Sequence, residues 1–406
     1  MKTNYDVVVI GAGPAGSVAA TKLLKEGHSV IMLEKMEFPR FVIGESLLPH
    51  CMDYLDELDL LQDVVDQNFQ LKTGVCFYEN KEKCDFLFED QFTKGWSYTY
   101  QVKRADFDYT LAKSAEKKGA TLAFNAEVTN VITSTNSQKV TYKDGEGNDH
   151  EITCNYVIDA SGYGRVIPRM FDLETPVKTP PRGAVFAHVK DSNRTDKAGR
   201  NIFVHAFNNN TAWMWSIPFS DGTTSVGIVG EKEFVENCYA NEGEKFKELI
   251  YSFPGLEGRY SNADLVFDPK IIVNYAVSVK QLYGEGYILC GNSTEFLDPI
   301  FSSGVTLAIS SGYKAATVVS KKIKGEAVDF ELEYSEVLKK GINVFRTFVL
   351  GWYDGTLGTV FFTKKENEGF KKQICSVLAG YVWDDENPFV RKHDRALKNL
   401  AKVISM

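Results

Sequence analysis

Several landmarks are missing from this chain, and each absence excludes a class of protein. The cysteines, seven in number (Cys51, Cys76, Cys84, Cys154, Cys238, Cys290 and Cys375), are scattered and include no Cys-x-x-Cys pair. This argues against a disulfide framework and against zinc. The six histidines show no metal-ligand spacing and no Ser-His-Asp order stands out, so metalloenzyme and hydrolase readings lack support. No run approaches the roughly 18 uninterrupted apolar residues of a membrane span. The apolar stretch after Tyr5 is broken by Gly11, Gly13 and Pro14, which fits neither a transmembrane segment nor a signal peptide. A cytoplasmic location is the expectation. Blocks of like charge are absent, and Lys+Arg 46 against Asp+Glu 54 leaves a net charge of −8, so a nucleic-acid partner is not expected.

What is present is ordinary globular material in quantity. The 406 residues are 44% hydrophobic and 25% charged, enough for a sizeable core and, at about 150 residues per domain, two to three domains. Aromatic residues make up 13%, with 27 Phe and 19 Tyr, a surplus that suits a site for a flat ligand.

The first thirty-odd residues carry the strongest local pattern. Tyr5 to Ile10 is a β-branched run of the kind buried on both faces of a parallel sheet, and Gly11-Ala-Gly-Pro-Ala-Gly16 follows at once. Apolar positions at helical spacing continue to Gly27, and Val30 to Leu33 reads as a second strand ending in Glu34. In this βαβ setting Gly-x-Gly-x-x-Gly has a mechanism. Gly11 makes the tight turn, Gly13 lets the backbone approach a pyrophosphate, Gly16 lets helix and strand pack, and Glu34 reaches ribose hydroxyls. The same glycines also serve an ordinary strand-to-helix turn.

Farther along, Asn155-Tyr-Val-Ile-Asp-Ala-Ser-Gly162 and Glu285 to Gly291 read as returns to the same sheet, which makes the nucleotide domain discontinuous. Between them, Arg182 to Val189, Ile202 to Phe207, Thr211 to Ile217 and Thr223 to Val229 read as an antiparallel sheet, with turns such as Asn208 to Asn210. A hairpin from Thr73 to Phe88, turning at Asn80 to Lys83, is expected to join it. After Phe330 the pattern becomes helical and lysine-rich, as in Leu338 to Phe348 and Lys392 to Val403.

With its fingerprint, a second Asp159-Ala-Ser-Gly162 strand end and a late Gly291-Asn-x-x-x-x-x-Asp298-Pro299 segment, the chain resembles the FAD-dependent aromatic hydroxylase and geranylgeranyl reductase superfamily over most of residues 1 to 325. The resemblance implies an α/β fold: a Rossmann-like three-layer FAD domain (1–72, 100–165 and 281–325), an inserted antiparallel-sheet substrate domain (73–99 and 166–280) and a helical C-terminal region (326–406). It places Gly11, Gly13 and Gly16 at the ADP half of FAD and Glu34 at the adenosine ribose, with Ala15, Lys35 and Val128 also among the cofactor-binding residues. Arg104, from a Val-x-Arg-x-x-Phe-Asp pattern, falls near the ribityl and phosphates, and Asp159, Gly162 and Gly291 belong to the later fingerprints. Asn292 stands where the superfamily normally has aspartate, so a ribityl bond there is made by a neutral group.

Two shorter features resemble the flavin-dependent halogenases. Trp213-Met-Trp215-Ser-Ile-Pro218 matches their Trp-x-Trp-x-Ile-Pro signature, and Phe69-Gln-Leu-Lys72-Thr-Gly74 resembles the segment that carries their catalytic lysine. Phe38 to Pro49, containing Gly44, Glu45 and Ser46, and Asp298-Pro299-Ile-Phe-Ser-Ser303-Gly304-Val305 are close to the flavin-flanking segments of the phenol and pyrrole branch. No glutamate precedes Ser303-Gly304, which disfavours free tryptophan as substrate. The resemblance implies that reduced flavin and dioxygen give a C4a-hydroperoxide, that halide held near Ser303 and Gly304 becomes hypohalous acid, and that Lys72 relays the halogen to a phenolic or pyrrolic ring. Trp213 and Trp215 would keep the substrate from the flavin. The substrate would be free or carried on a carrier protein, and a separate flavin reductase would supply FADH2. Two alternatives stay open: an FAD monooxygenase or geranylgeranyl-reductase-like enzyme acting on an aromatic or lipidic substrate, and a non-catalytic lipid-binding relative of the fold.

Overall fold

The computed structural model describes residues 2–79, 82–135, 137–176, 181–194, 200–208, 210–253, 256, 258–365 and 367–406. Asn80 and Lys81 of the expected hairpin turn, and Asn209 of the second, lie outside them. Among the described residues no helix is long and apolar enough to cross a membrane.

The nucleotide sheet is built on Asn4–Ile10, whose last four residues are all buried. This strand pairs in parallel with Asp149–Asp159 on one side and Val30–Leu33 on the other. The neighbours are Tyr287–Leu289 and Thr121–Ala123, also parallel, so the carboxyl ends of these strands open along one edge. In such open α/β sheets ligands bind at that edge. Helix Pro14–Lys25 starts there with proline in its first turn and no acidic residue, leaving its positive end unneutralised.

The second sheet has seven strands in the spatial order Lys270–Val273, Arg182–Lys190, Thr223–Glu231, Ala212–Pro218, Asn201–Phe207, Gly74–Glu79 and Glu82–Leu87. It departs from a purely antiparallel sheet at one place: Asn201–Phe207 runs parallel to Gly74–Glu79. Those two strands are far apart in sequence, so no hairpin dictates their relative direction. The N-terminal hairpin therefore docks on the sheet edge as a unit.

The C-terminal helices Glu336–Tyr353, Thr356–Phe361, Glu368–Leu378 and His393–Ser405 share one apolar cluster with both sheets, reaching from Val7 through Phe77 and Trp215 to Phe345 and Leu400. Backbone bonds fasten this region to the rest, including His50 N–H to Ala379 O (3.0 Å) and Phe92 N–H to Lys372 O (3.1 Å). All seven cysteines are buried; Cys51 Sγ meets Thr306 Oγ1 (3.2 Å) and Cys375 Sγ donates to the Leu87 carbonyl (3.2 Å).

Candidate active site

A cavity of about 500 Å³ runs from the fingerprint turn to Trp213 and Trp215. At its nucleotide end the Glu34 carboxylate is fixed by two backbone donors, Ala12 N–H (2.9 Å) and Met36 N–H (3.0 Å). The acid thus anchors the turn while lining the cavity. Gly16 does a packing job, because a Cβ there would lie 2.0 Å from the Gly11 carbonyl oxygen. Behind the turn, the fully buried Asp108 takes Arg104 through two bonds (2.7 and 2.9 Å) and Arg40 through a third (2.9 Å). Burial works against the Arg104 cation, but Asp108, with smaller contributions from Glu45 and Tyr163, more than compensates and raises its pKa. Arg40 and Arg104 thus bring two guanidiniums to the cavity wall, donors of the kind that suit a pyrophosphate.

At the other end the segment 44–46 forms one wall. Glu45 is tied to the buried His188 (2.7 Å), and its second oxygen, like the Ser46 hydroxyl, is buried with no hydrogen-bond partner in the protein. Trp213 and Trp215 stand with ring centroids 5.9 Å apart. Trp215 donates to Ser225 Oγ (3.0 Å) and fits because residue 227 is glycine, where a Cβ would come within 2.2 Å of the indole. Trp213 donates to the Tyr353 hydroxyl (3.0 Å), and both Tyr353 (2.9 Å) and Tyr275 (3.0 Å) donate to Asp298 Oδ2. Asp298 Oδ1 accepts from Ile300 N–H (3.2 Å), capping the turn that leads into helix Ser303–Ile323. Burial raises the Asp298 pKa even so.

Helix Ser303–Ile323 begins after Ser302, which has φ 56°, and has no acidic residue in its first turn and no side-chain cap. Its first N–H groups are therefore free to meet an anion. Lys72 is only 1% exposed. Its Nζ donates to the Leu47 carbonyl (2.8 Å) and lies 5.4 Å from the Phe88 ring centre. Burial drives its pKa down to about 7, since an ammonium loses hydration there.

The residues expected at the cofactor line this cavity, including Ala15, Lys35, Val128, Gly162, Gly291, Asn292, Pro299 and Val305, apart from Gly16, Asp159 and Asp298. The Asp159 carboxylate is instead turned into the protein, accepting from Ser161 N–H, Ile167 N–H and the Ser293 hydroxyl. Gly304 lines the cavity, whereas Ser303 does not and Ser302 does. Lys72 lies outside the lining. Arg40, Asp108, His188, Tyr275 and Tyr353 belong to the site's framework through contacts across the sequence. Of these, Asp108 and Arg40 lay within quoted motifs, Asp108 as the last residue of the Val-x-Arg-x-x-Phe-Asp pattern and Arg40 inside the segment from Phe38 to Pro49.

A dinucleotide turn, an arginine pair behind it and an elongated cavity ending at an indole pair define an FAD-dependent oxidoreductase. The orphaned Glu45 oxygen and Ser46 hydroxyl in the wall suit a polar heteroaromatic ring that would satisfy them. The chain belongs to the FAD binding domain family, whose model matches residues 4–336. Among its relatives, a 1H-pyrrole-2-carbonyl-[peptidyl-carrier protein] brominase of Pseudoalteromonas luteoviolacea is 30% identical over 325 residues, covering 79% of each chain. A solved flavoprotein/dehydrogenase from Cytophaga hutchinsonii shares 47% identity with a TM-score of 0.97 over 99% of both chains. The flavin-dependent brominase Bmp2 shares 26% with a TM-score of 0.85, over 99% of this chain and 100% of that one.

Proposed function

We propose that this protein is a halogenase that uses reduced FAD and dioxygen to halogenate an electron-rich phenolic or pyrrolic ring, with Lys72 delivering the halogen. The observation that carries this reading is a fully buried lysine, with a pKa lowered to about 7, on a strand that shares its ribbon with the cavity wall. Structural lysines are rarely placed so; a nucleophilic amine needs such a place.

Glu34, Arg104 and the fingerprint turn would hold FAD, which when reduced supplies with dioxygen the oxidant that turns halide into hypohalous acid. The N–H groups of Gly304 and Val305, at the start of the helix where the cavity reaches it, would hold the halide. The neutral Lys72 amine then attacks the halogen of hypohalous acid. The N–X bond forms as the O–X bond breaks, and hydroxide leaves with the amine proton as water. Attack by the ring on the N–X halogen returns the lysine as the ring proton is lost. Trp213 and Trp215 fill the end of the cavity and keep the aromatic substrate from direct oxygen transfer. The relative named for a pyrrole-2-carbonyl carrier-protein substrate supports a carrier-borne pyrrole as one form of the substrate. Reduced flavin would come from a separate reductase.

The test is purified protein with FAD, an NADH-driven flavin reductase, bromide and a panel of free phenols, free pyrroles and carrier-loaded pyrrole, followed by mass spectrometry. A brominated product supports the reading. Hydroxylated or reduced products with no halogen from every substrate would sink it.

A further inference from the structure

The strands Gln70–Lys72 and Thr99–Gln101 form a two-stranded ribbon. Segment 45–47 extends it, through Val102 N–H to Glu45 O (2.8 Å), Leu47 N–H to Tyr100 O (3.1 Å) and the bridge between Ser46 and Gln101. Those two bonds flank Ser46 and Gln101, so the pair sits directly opposite without bonding each other, the arrangement that brings side chains closest on one face. On the other side Gln70 lies opposite Gln101 and Lys72 opposite Thr99. Ser46, Gln101, Thr99 and Lys72 therefore share a face, and Lys72 is the diagonal neighbour of Gln101, about 7–8 Å away. Ser46 lines the FAD cavity, so the face leads from the cavity wall to the buried amine.

The polar groups along that face are not equally engaged. Thr99 Oγ1 meets Met52 Sδ (3.5 Å), Gln70 Nε2 bonds the Leu71 carbonyl (3.2 Å) and Lys72 bonds Leu47 O. Gln101 is 1% exposed, and neither its Nε2 nor its Oε1 has a hydrogen-bond partner in the protein. A buried amide kept only to hold the ribbon would bond to the ribbon. Here one donor and one acceptor are presented together beside Lys72.

We propose that Gln101 holds hypohalous acid in transit between the FAD cavity and Lys72, with Nε2–H donating to its oxygen and Oε1 accepting its O–H. This rests on the halogenase reading and adds to it a second residue that touches the reacting molecule. Both polar ends of hypohalous acid are then satisfied and its halogen is left to the amine. The transfer that follows is the balanced step given above, with water leaving, and it needs no further oxidant.

The test uses Gln101→Met, which removes both polar atoms at nearly constant length. Melting without flavin should be unchanged or higher, and FAD affinity and oxygen consumption should stay at the wild-type level. Brominated product per oxygen consumed should fall about tenfold, the scale of one or two lost hydrogen bonds, while hypobromous acid caught by an external scavenger rises in step. Gln101→Glu, keeping an acceptor, should retain part of the coupling. Wild-type coupling in Gln101→Met overturns the proposal, as does a product loss that merely follows loss of folded protein. A wild-type enzyme that yields neither bromination nor hypobromous acid defeats the halogenase reading itself, whereas an active wild type with unaffected Gln101 variants defeats only this assignment.

Discussion

Replacing Lys72 by methionine removes an amine from a site that is 1% exposed, and the effect on stability can be worked out with its sign. The ordinary lysine pKa of 10.5 falls to about 7 in the folded chain because burial penalises the charged form. That drop corresponds to about 5 kcal/mol at about 1.4 kcal/mol for each pH unit. Between pH 7 and 10.5 the unfolded chain holds the proton and the folded chain does not, so stability due to this group rises with pH across that window. Below pH 7 both states are protonated and the full penalty stands. The bond from Nζ to Leu47 O (2.8 Å) offsets about 1–2 kcal/mol of it. The Lys72→Met protein should therefore be more stable than wild type by about 3 kcal/mol near pH 7. That advantage should shrink by about 4 kcal/mol on going to pH 10. Urea unfolding of both flavin-free proteins at the two pH values measures this directly, since every other titrating group cancels in the comparison. A variant that is less stable at pH 7, or a gap that does not narrow with pH, would refute the buried-amine argument. The same variant should go on consuming reduced flavin and oxygen while losing halogenation.

Two further outcomes follow from contacts at either end of the cavity. Gly16→Ala should cost about 1–3 kcal/mol of stability and weaken FAD binding at least about tenfold, because the new Cβ would sit 2.0 Å from the Gly11 oxygen; flavin fluorescence titration and thermal melting check it. Tyr353→Phe leaves the Trp213 N–H without its acceptor and takes one phenol from Asp298, so a loss of about 1–3 kcal/mol is expected. A Tyr353→Phe, Trp213→Phe double-mutant cycle should show a coupling energy, and simple additivity would contradict the contact.

The parts of the site legible in the sequence are those whose signal is local. Gly11, Gly13 and Glu34 sit within one βαβ unit, where spacing alone says which atoms face a phosphate, and Trp213 and Trp215 sit at strand spacing. Local spacing does not separate groups that would touch a ligand from groups that hold the wall. Asp159 follows a strand end as a binding residue would, yet its carboxylate bonds two backbone N–H groups and Ser293. Whether Ser302 or Ser303 meets the cavity turns on where one residue takes a left-handed conformation, φ 56° at Ser302, which spacing does not encode. The bonds from Asp108 to Arg40 and from His188 to Glu45 span 68 and 143 positions, so no window of sequence displays them. In the fold, the direction of Asn201–Phe207 against Gly74–Glu79 was illegible for the same reason.

The hydrogen-bonded chain from Trp213 through Tyr353 to Asp298 and Tyr275 also says where this molecule can be cut and rejoined with a relative. Trp213 comes from the seven-stranded sheet, Tyr275 from the segment after strand Lys270–Val273, Tyr353 from the end of helix Glu336–Tyr353 and Asp298 from the turn before helix Ser303–Ile323. A chimera that exchanges the C-terminal helices alone would import a foreign residue at position 353 and leave the Asp298 carboxylate to find a new donor. Grafting should therefore treat these four residues as one heritable block, wherever the crossover points fall along the chain.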